Sequence, residues 1–355
     1  MVEPLPHVRE IPPYVPGKPP VARAGLTTYK LSSNENPYPP LPSVRATAEQ
    51  AVTAMNRYPD MGCSALYDAL ATKHGVGTDQ LAAGTGSVAL IYHLLSAYCG
   101  PGDEVVHAWR SFEAYPIAIT AAGATGVKVP VTADGRHDLP AMAAATTERT
   151  KVVLLCTPNN PTGPALTHAE TTAFIAGVPA DVLVVVDEAY VEFVRMADPV
   201  DGLALLRDHP NVVLLRTFSK AYGLAGLRVG YAVAAPEVAT ALRAVALPFG
   251  VSSVAQAAAV ASLAAEDELL ARVDALVVER DRLVAGIAAV GWTVPEPQGN
   301  FVWFDLPQTD AFAAAAGEAG LAVRPFAGEG VRVSVGEPEA TDRLVEVLRG
   351  MKRPT

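Results

Sequence analysis

Cysteine and charge are both thin in this 355-residue chain, with three cysteines, 18% Asp, Glu, Lys and Arg together, and only 6% aromatic residues. Cys63, Cys99 and Cys156 lie far apart and form no C-x-x-C pair, which argues against a disulfide framework or a thiolate zinc site and for a reducing compartment. Positive charge is the scarcer sign: 27 Lys and Arg against 37 Asp and Glu leave a formal net charge of −10. No basic face is expected, so neither a nucleic acid nor an anionic membrane is an expected partner. Long apolar runs are missing too. None reaches the ~18 residues that a membrane-spanning helix needs, and the opening Met1–His7 has neither the basic start nor the apolar stretch of a secretory signal. A soluble, cytoplasmic protein is the expectation. Half of the residues are apolar, well away from the composition of disorder, and at roughly 100–200 residues per domain the length suggests two domains.

Three common site motifs are absent as well. Gly84-Thr85-Gly86-Ser87 starts like a dinucleotide fingerprint, but the third glycine position holds Ala89. Val184-Val185-Val186-Asp187-Glu188 resembles the acidic strand end of an ATPase, yet no G-x-x-x-x-G-K-[ST] loop accompanies it. His168 and Glu170 are not arranged as H-E-x-x-H and the histidines do not cluster, so no metal is expected.

What is abundant is proline, and unevenly: 11 of the 30 fall within the first 42 residues. Proline fixes φ and removes a backbone donor, so this segment should be extended, neither helix nor central strand. It is either a loose tail or an arm laid across the protein, and the embedded Tyr14, Tyr29, Asn34, Asn36 and Tyr38 favour the arm. Beyond it, Gln50–Thr72 reads as helix broken at Tyr58-Pro59. Short apolar runs then recur at Glu104–Ala108, Lys151–Thr157, Val182–Asp187, Val212–Phe218 and Arg228–Ala234, separated by Ala-rich stretches such as Ser87–Tyr98, Ser111–Ala122 and Thr167–Ala176. Continuous Val/Leu runs alternating with helices predict an α/β fold with a mostly parallel sheet covered on both faces. After about residue 250 a long helical tract (Val254 to about Val290) gives way to short strands at Asn300–Leu306, Leu321–Phe326 and Val331–Val335, with helices near Ala311–Gly320 and Pro338–Met351. The expected division is an arm at 1–30, a large domain at 31–250 and a smaller α+β domain at 251–355, with a cleft between the two domains.

Four signals fall in order at predicted strand ends: Gly84-Thr85-Gly86-Ser87, Pro158-Asn159-Asn160-Pro161-Thr162-Gly163, Asp187-Glu188-Ala189-Tyr190, and Thr217-Phe218-Ser219-Lys220 running on to Arg228. Ligands of open α/β sheets bind at the carboxyl ends of strands, where these four would converge. Taken singly each has an ordinary explanation. A lysine is usually a solvated charge, an aspartate after a strand can cap a helix, and Asn-Pro-Thr-Gly is a good turn without any ligand.

Together they resemble the fold-type I pyridoxal-phosphate aminotransferases, through essentially the whole chain. The similarity is greatest to the histidinol-phosphate aminotransferase branch, carried by Ser33-Asn34-Glu35-Asn36, Arg57-Tyr58-Pro59-Asp60 and the segment Arg216 to Arg228. The resemblance implies a large domain with a seven-stranded, mostly parallel sheet and pyridoxal 5′-phosphate as cofactor. It implies that Lys220 holds the cofactor covalently and shuttles a proton once displaced, and that Asp187 faces the pyridine nitrogen. Asn160 and Tyr190 would bond the ring's 3′ oxygen. Thr85, Gly86 and Ser87 at a helix N-terminus, with Ser219 and Arg228, would bind the phosphate. Phe112 matches the aromatic residue that stacks on the ring, although a phenylalanine there also reads as core. Tyr58 matches the tyrosine that reaches the neighbouring subunit's cofactor, which implies a homodimer with shared active sites. Arg332 matches the arginine that grips the substrate carboxylate, Arg324 is a second anion contact, and Tyr14 and Asn36 are further substrate candidates.

The resemblance implies glutamate and 2-oxoglutarate as one substrate pair in a ping-pong cycle. Three features depart from the histidinol-phosphate pattern: Trp109-Arg110-Ser111-Phe112 replaces a Pro-Thr-Tyr type segment, the arm carries Tyr14-Val15-Pro16-Gly17-Lys18, and Arg324 and Arg332 lie only eight positions apart. These look like the actinobacterial aromatic amino-acid (phenylalanine) aminotransferases. An aromatic side chain needs an apolar slot, whereas histidinol phosphate needs extra cationic donors. Tyr14 and Tyr115 are candidates for lining that slot. The expected reaction is transamination of phenylalanine, tyrosine or tryptophan with 2-oxoglutarate, with histidinol-phosphate transamination as the alternative, and a pyridoxal-phosphate decarboxylase or lyase reaction on the same fold as the third reading.

Overall fold

The computed structural model describes residues 2–352. Its strands in chain order are β1 (Tyr29–Lys30), β2 (Leu81–Gly84), β3 (Glu104–Trp109), β4 (Thr125–Pro130), β5 (Thr150–Cys156), β6 (Leu183–Asp187), β7 (Val212–Thr217), β8 (Gly230–Val233), β9 (Phe301–Asp305), β10 (Leu321–Ala322), β11 (Arg324–Phe326) and β12 (Gly330–Ser334). Seven of them form one sheet in the order β2-β8-β7-β6-β5-β3-β4. Pairing is parallel from β4 to β7, and β8 runs antiparallel to both β7 and β2. The Val/Leu runs are continuous because both faces of this sheet are covered. Val153, Leu155, Val184, Val186 and Leu214 pack into one apolar layer, while Val152, Leu154, Val185, Val213 and Leu215 pack into the layer on the other side. β2 and β4 do not stand out as apolar runs in the sequence, for different reasons. Leu81-Ala82-Ala83-Gly84 has no β-branched residue, and β4 is an edge strand whose exposed residues dilute its apolar pattern.

The later third departs from its expected boundaries in two places. The long helical tract is two helices, Ser253–Ala264 and Glu266–Ala289, broken at Ala265, and the second opens on Glu266, Asp267 and Glu268, which suit a helix N-terminus. The run Leu321–Phe326 is not one strand. Leu321 and Ala322 pair in parallel with Tyr29 and Lys30, whereas Arg324–Phe326 turns into the antiparallel sheet β11-β12-β9. The proline-rich opening is mostly irregular, as expected, but Pro6–Arg9 makes one helical turn and Pro42 opens the helix Pro42–Val52, where a missing N–H costs nothing. A second helix runs Ser64–His74, so the stretch around Tyr58-Pro59 is irregular and longer than the single break expected. The arm is not a loose tail where it meets β10, and through β1 it joins the two ends of the chain.

Candidate active site

The carboxyl ends of β5, β6 and β7 and the turn after β2 face one cavity of about 210 Å³. Its floor is set by the sheet. β6 ends at Asp187, which lies level with Cys156 of β5 and Leu215 of β7 in the strand register. Two and three residues past β7 come Ser219 and Lys220, and four past β5 comes Asn160. The turn holding Asn160 is tied from beneath by Asn159, which accepts from Ser111 Oγ at 2.7 Å and donates to Thr162 Oγ1 at 2.7 Å and to the Arg110 carbonyl at 3.0 Å.

Three charged side chains on this cavity, Lys220, Asp187 and Arg332, are able to do chemistry. Lys220 Nζ donates to the Ser33 carbonyl at 3.0 Å. Burial, reinforced by the positive charge of Arg332, lowers its pKa to about 7, so near neutrality a large fraction is a neutral, nucleophilic amine. Asp187 is buried, and that burial raises its carboxyl to about 6 against the opposing pull of a 2.8 Å hydrogen bond from Tyr115 Oη to Oδ2. Its Oδ1 has no partner among the described residues. Arg332 of β12 donates to Asn160 Oδ1 at 2.5 Å and to the Ser32 carbonyl at 2.8 Å, both uncharged, and its Nε has no partner. Two unmet buried groups of opposite sign on one cavity call for a ligand carrying a cationic N–H at one end and an anion at the other.

A third feature is a cradle at the start of the helix Ser87–Tyr98. Gly86 caps it at φ +90°, no side chain caps the helix, and a Cβ on Gly86 would lie 2.5 Å from Arg228 Nη2. A Cβ on Gly230 would lie 2.5 Å from the Ser87 amide nitrogen. Arg228, itself at φ 56°, donates to Ser219 Oγ at 3.3 Å and to the Thr85 carbonyl at 3.4 Å. Backbone donors, a hydroxyl and a guanidinium thus surround a space kept open by missing side chains, which is the donor set a phosphate requires.

Of the residues singled out from the sequence, Ser87, Phe112, Asn160, Asp187, Tyr190, Ser219, Lys220, Arg228, Arg324, Arg332 and Tyr14 line the cavity. Thr85 and Gly86 form the turn at its edge. Tyr58 is 82% exposed, stacked on Phe249 at 4.7 Å, and does not line the cavity of its own chain. Asn36 does not reach the cavity either: its amide donates to the Ala221 carbonyl and its Oδ1 accepts from the Tyr38 amide, both at 3.0 Å. Its neighbour Asn34 does the work at this end. Fully buried at φ 53°, it donates to Tyr190 Oη at 3.0 Å and accepts from Ser334 Oγ at 2.9 Å. Tyr115 lines no substrate slot, because it is fully buried under Asp187, with its ring edge-on to Phe112. The sequence signal for Asn34 was its place in Ser33-Asn34-Glu35-Asn36, and asparagine tolerates left-handed backbone better than most residues. Nothing in the sequence marked Tyr115 as the partner of a carboxylate 72 positions away.

An amine and a buried carboxylate thus lie at strand ends of an α/β sheet, beside an anion cradle and an arginine without a counter-ion. Residues 27–348 match the aminotransferase class I and II family, and the chain belongs to it. It is 59% identical over 344 residues to an aromatic amino acid aminotransferase of Streptomyces avermitilis, covering 97% of this chain and 96% of that protein. It is 55% identical to an aromatic amino acid aminotransferase of Rhodococcus jostii, covering 94% and 92%. Among solved structures it resembles the histidinol-phosphate aminotransferase of Sinorhizobium meliloti in complex with pyridoxal-5′-phosphate, with TM-score 0.84, 30% identity and 91% of each chain covered. The seven-stranded sheet with its covering helices is therefore the fold-type I arrangement expected from the sequence. No helix among the described residues is long and apolar enough to cross a membrane.

Proposed function

We propose that this protein moves the amino group of an aromatic L-amino acid to 2-oxoglutarate by a ping-pong cycle, with pyridoxal 5′-phosphate as cofactor. The observation that carries the reading is the pairing, in one cavity, of a lysine with a lowered pKa and an aspartate whose buried Oδ1 is unpartnered. The named relatives supply the aromatic class, and the cradle at Gly86 fits the cofactor's phosphate. When bound, the cofactor supplies an electrophilic carbonyl carbon and a ring that withdraws electrons from the substrate's Cα. Asp187 Oδ1, buried and without a partner, would accept the N–H of the cofactor's ring nitrogen and favour its protonated form. Lys220 would hold the cofactor covalently, and its amine, once free, would be the base that takes up the substrate's Cα proton. Asn160 and Tyr190 would hold the cofactor's ring oxygen, Phe112 would pack on the ring, and Thr85, Gly86, Ser87, Ser219 and Arg228 would hold the phosphate. Arg332 takes the α-carboxylate, and Tyr14 reaches the substrate from the arm.

In the same reading residues 31–250 carry the cofactor, and residues 251–355 with the arm 1–30 carry the carboxylate grip, in a cytoplasmic enzyme. Two copies of the chain form a dimer, and Tyr58 of each completes the other's phosphate site. The exposure of Tyr58, Met61 and Leu247, gathered around Phe249, supports this. Lys220→Ala tests the chemistry: conversion of the bound cofactor to its pyridoxamine form on addition of glutamate, and turnover with it, should slow at least ~10³-fold. A Lys220→Ala protein that transaminates at near the parental rate contradicts the assignment.

A further inference from the structure

Two guanidinium groups sit side by side at the substrate end of the cavity, because Arg324 and Arg332 are register partners on β11 and β12. Their surroundings differ. Arg332 bonds only to uncharged oxygens, and among the described residues no carboxylate pairs with it. Arg324 donates to Glu113 Oε2 at 2.7 Å and to the Val15 carbonyl, and its side chain is 8% exposed. The first is a cation open to a substrate anion, and the second is already neutralised.

Glu113 is held where it can do this. It follows Ser111 and Phe112 in the turn that carries the ring-covering aromatic, and this turn is pinned to the β11–β12 hairpin by a second, crossed ion pair in which Arg110 donates through Nε to Glu329 at 2.6 Å and through Nη2 to its other oxygen. Base and acid on the turn thus each meet their opposite on the hairpin. The Phe326 ring lies beneath Arg324, 4.9 Å from the guanidinium carbon.

We propose that Glu113 is a specificity-determining residue, which cancels the charge of Arg324 and so makes the side-chain end of the cavity suit an uncharged aromatic group over a carboxylate or phosphate. This rests on the aminotransfer reading above. An anionic side chain must compete with Glu113 for Arg324, whereas an aromatic one leaves the pair intact and stays clear of an uncompensated buried charge.

The test is the amino-donor half-reaction of the pyridoxal-form holoenzyme, followed by the absorbance of the bound cofactor with phenylalanine and with glutamate. In Glu113→Gln the half-saturating glutamate concentration should fall about tenfold and that of phenylalanine should rise, inverting part of the preference. Glu113→Gln combined with Arg324→Gln should abolish the gain for glutamate, since the guanidinium is what the anion binds. Should Glu113→Gln fail to retain cofactor, Glu113→Asp, one methylene shorter, should move the ratio in the same direction by a smaller factor. A glutamate-to-phenylalanine ratio within twofold of the parent, or a gain that persists without Arg324, overturns the proposal. A parent enzyme that shows no spectral change with any amino acid overturns the aminotransfer reading instead.

Discussion

Asp187 shows how far a single residue's chemistry depends on what lies behind it. Burial pushes its carboxyl up to about 6, and the Tyr115 hydroxyl resists that by donating to Oδ2. A carboxylate with a raised pKa is ionised only above that pKa, so the function that needs Asp187⁻ is lost as pH falls through it. Tyr115→Phe removes the opposing bond, and the acid limb of the pH–kcat profile should therefore move to higher pH. Stability should fall by about 1–3 kcal/mol, because a buried carboxylate oxygen loses its donor. Thermal unfolding and the pH profile measured together check this, and an unmoved acid limb contradicts the role given to Tyr115.

At the scale of elements, the cradle is made by a strand pressed against a helix start. Gly230 opens β8, pairs with both Gly84 and Thr217, and has no room for a Cβ against the backbone of Gly86 and Ser87. Gly230→Ala should therefore displace the phosphate-binding turn and weaken cofactor binding about tenfold, at a stability cost of ~1–3 kcal/mol. Titration of the apo-protein with pyridoxal phosphate measures it, and unchanged affinity removes the close approach from the account. The central strands were legible in the sequence because burial on both faces leaves an unbroken Val/Leu signature, as in Val184-Val185-Val186. The ordered motifs at their ends carry Asp187, Asn160 and Lys220, which line one cavity. What stayed hidden was decided by contacts distant in the chain. Asn34 rather than Asn36 turns inward because Tyr190 and Ser334 hold it, Tyr115 lies under Asp187, and β10 parts from β11 because β1 pairs with it.

The whole molecule carries its own expectation. Tyr58 and Leu247 are 82% and 74% exposed, which suits the dimer surface proposed above. In sedimentation the protein should run at twice the 37.0 kDa chain mass. Leu247→Glu should shift it toward the chain mass and lower activity at least ~10-fold, since each site then loses the partner's tyrosine. A fully active monomer contradicts shared sites. The net charge of −10 fits anionic ligands because Arg228 and Arg332 act locally within the cavity, where the field of a diffuse surface charge is weak by comparison.

The central claim, transamination of an aromatic amino acid, is most directly tested by mixing the pyridoxal form of the enzyme separately with phenylalanine, tyrosine, tryptophan and histidinol phosphate and following its conversion to the pyridoxamine form. The account predicts that an aromatic amino acid converts it fastest, and fastest conversion by histidinol phosphate would contradict it.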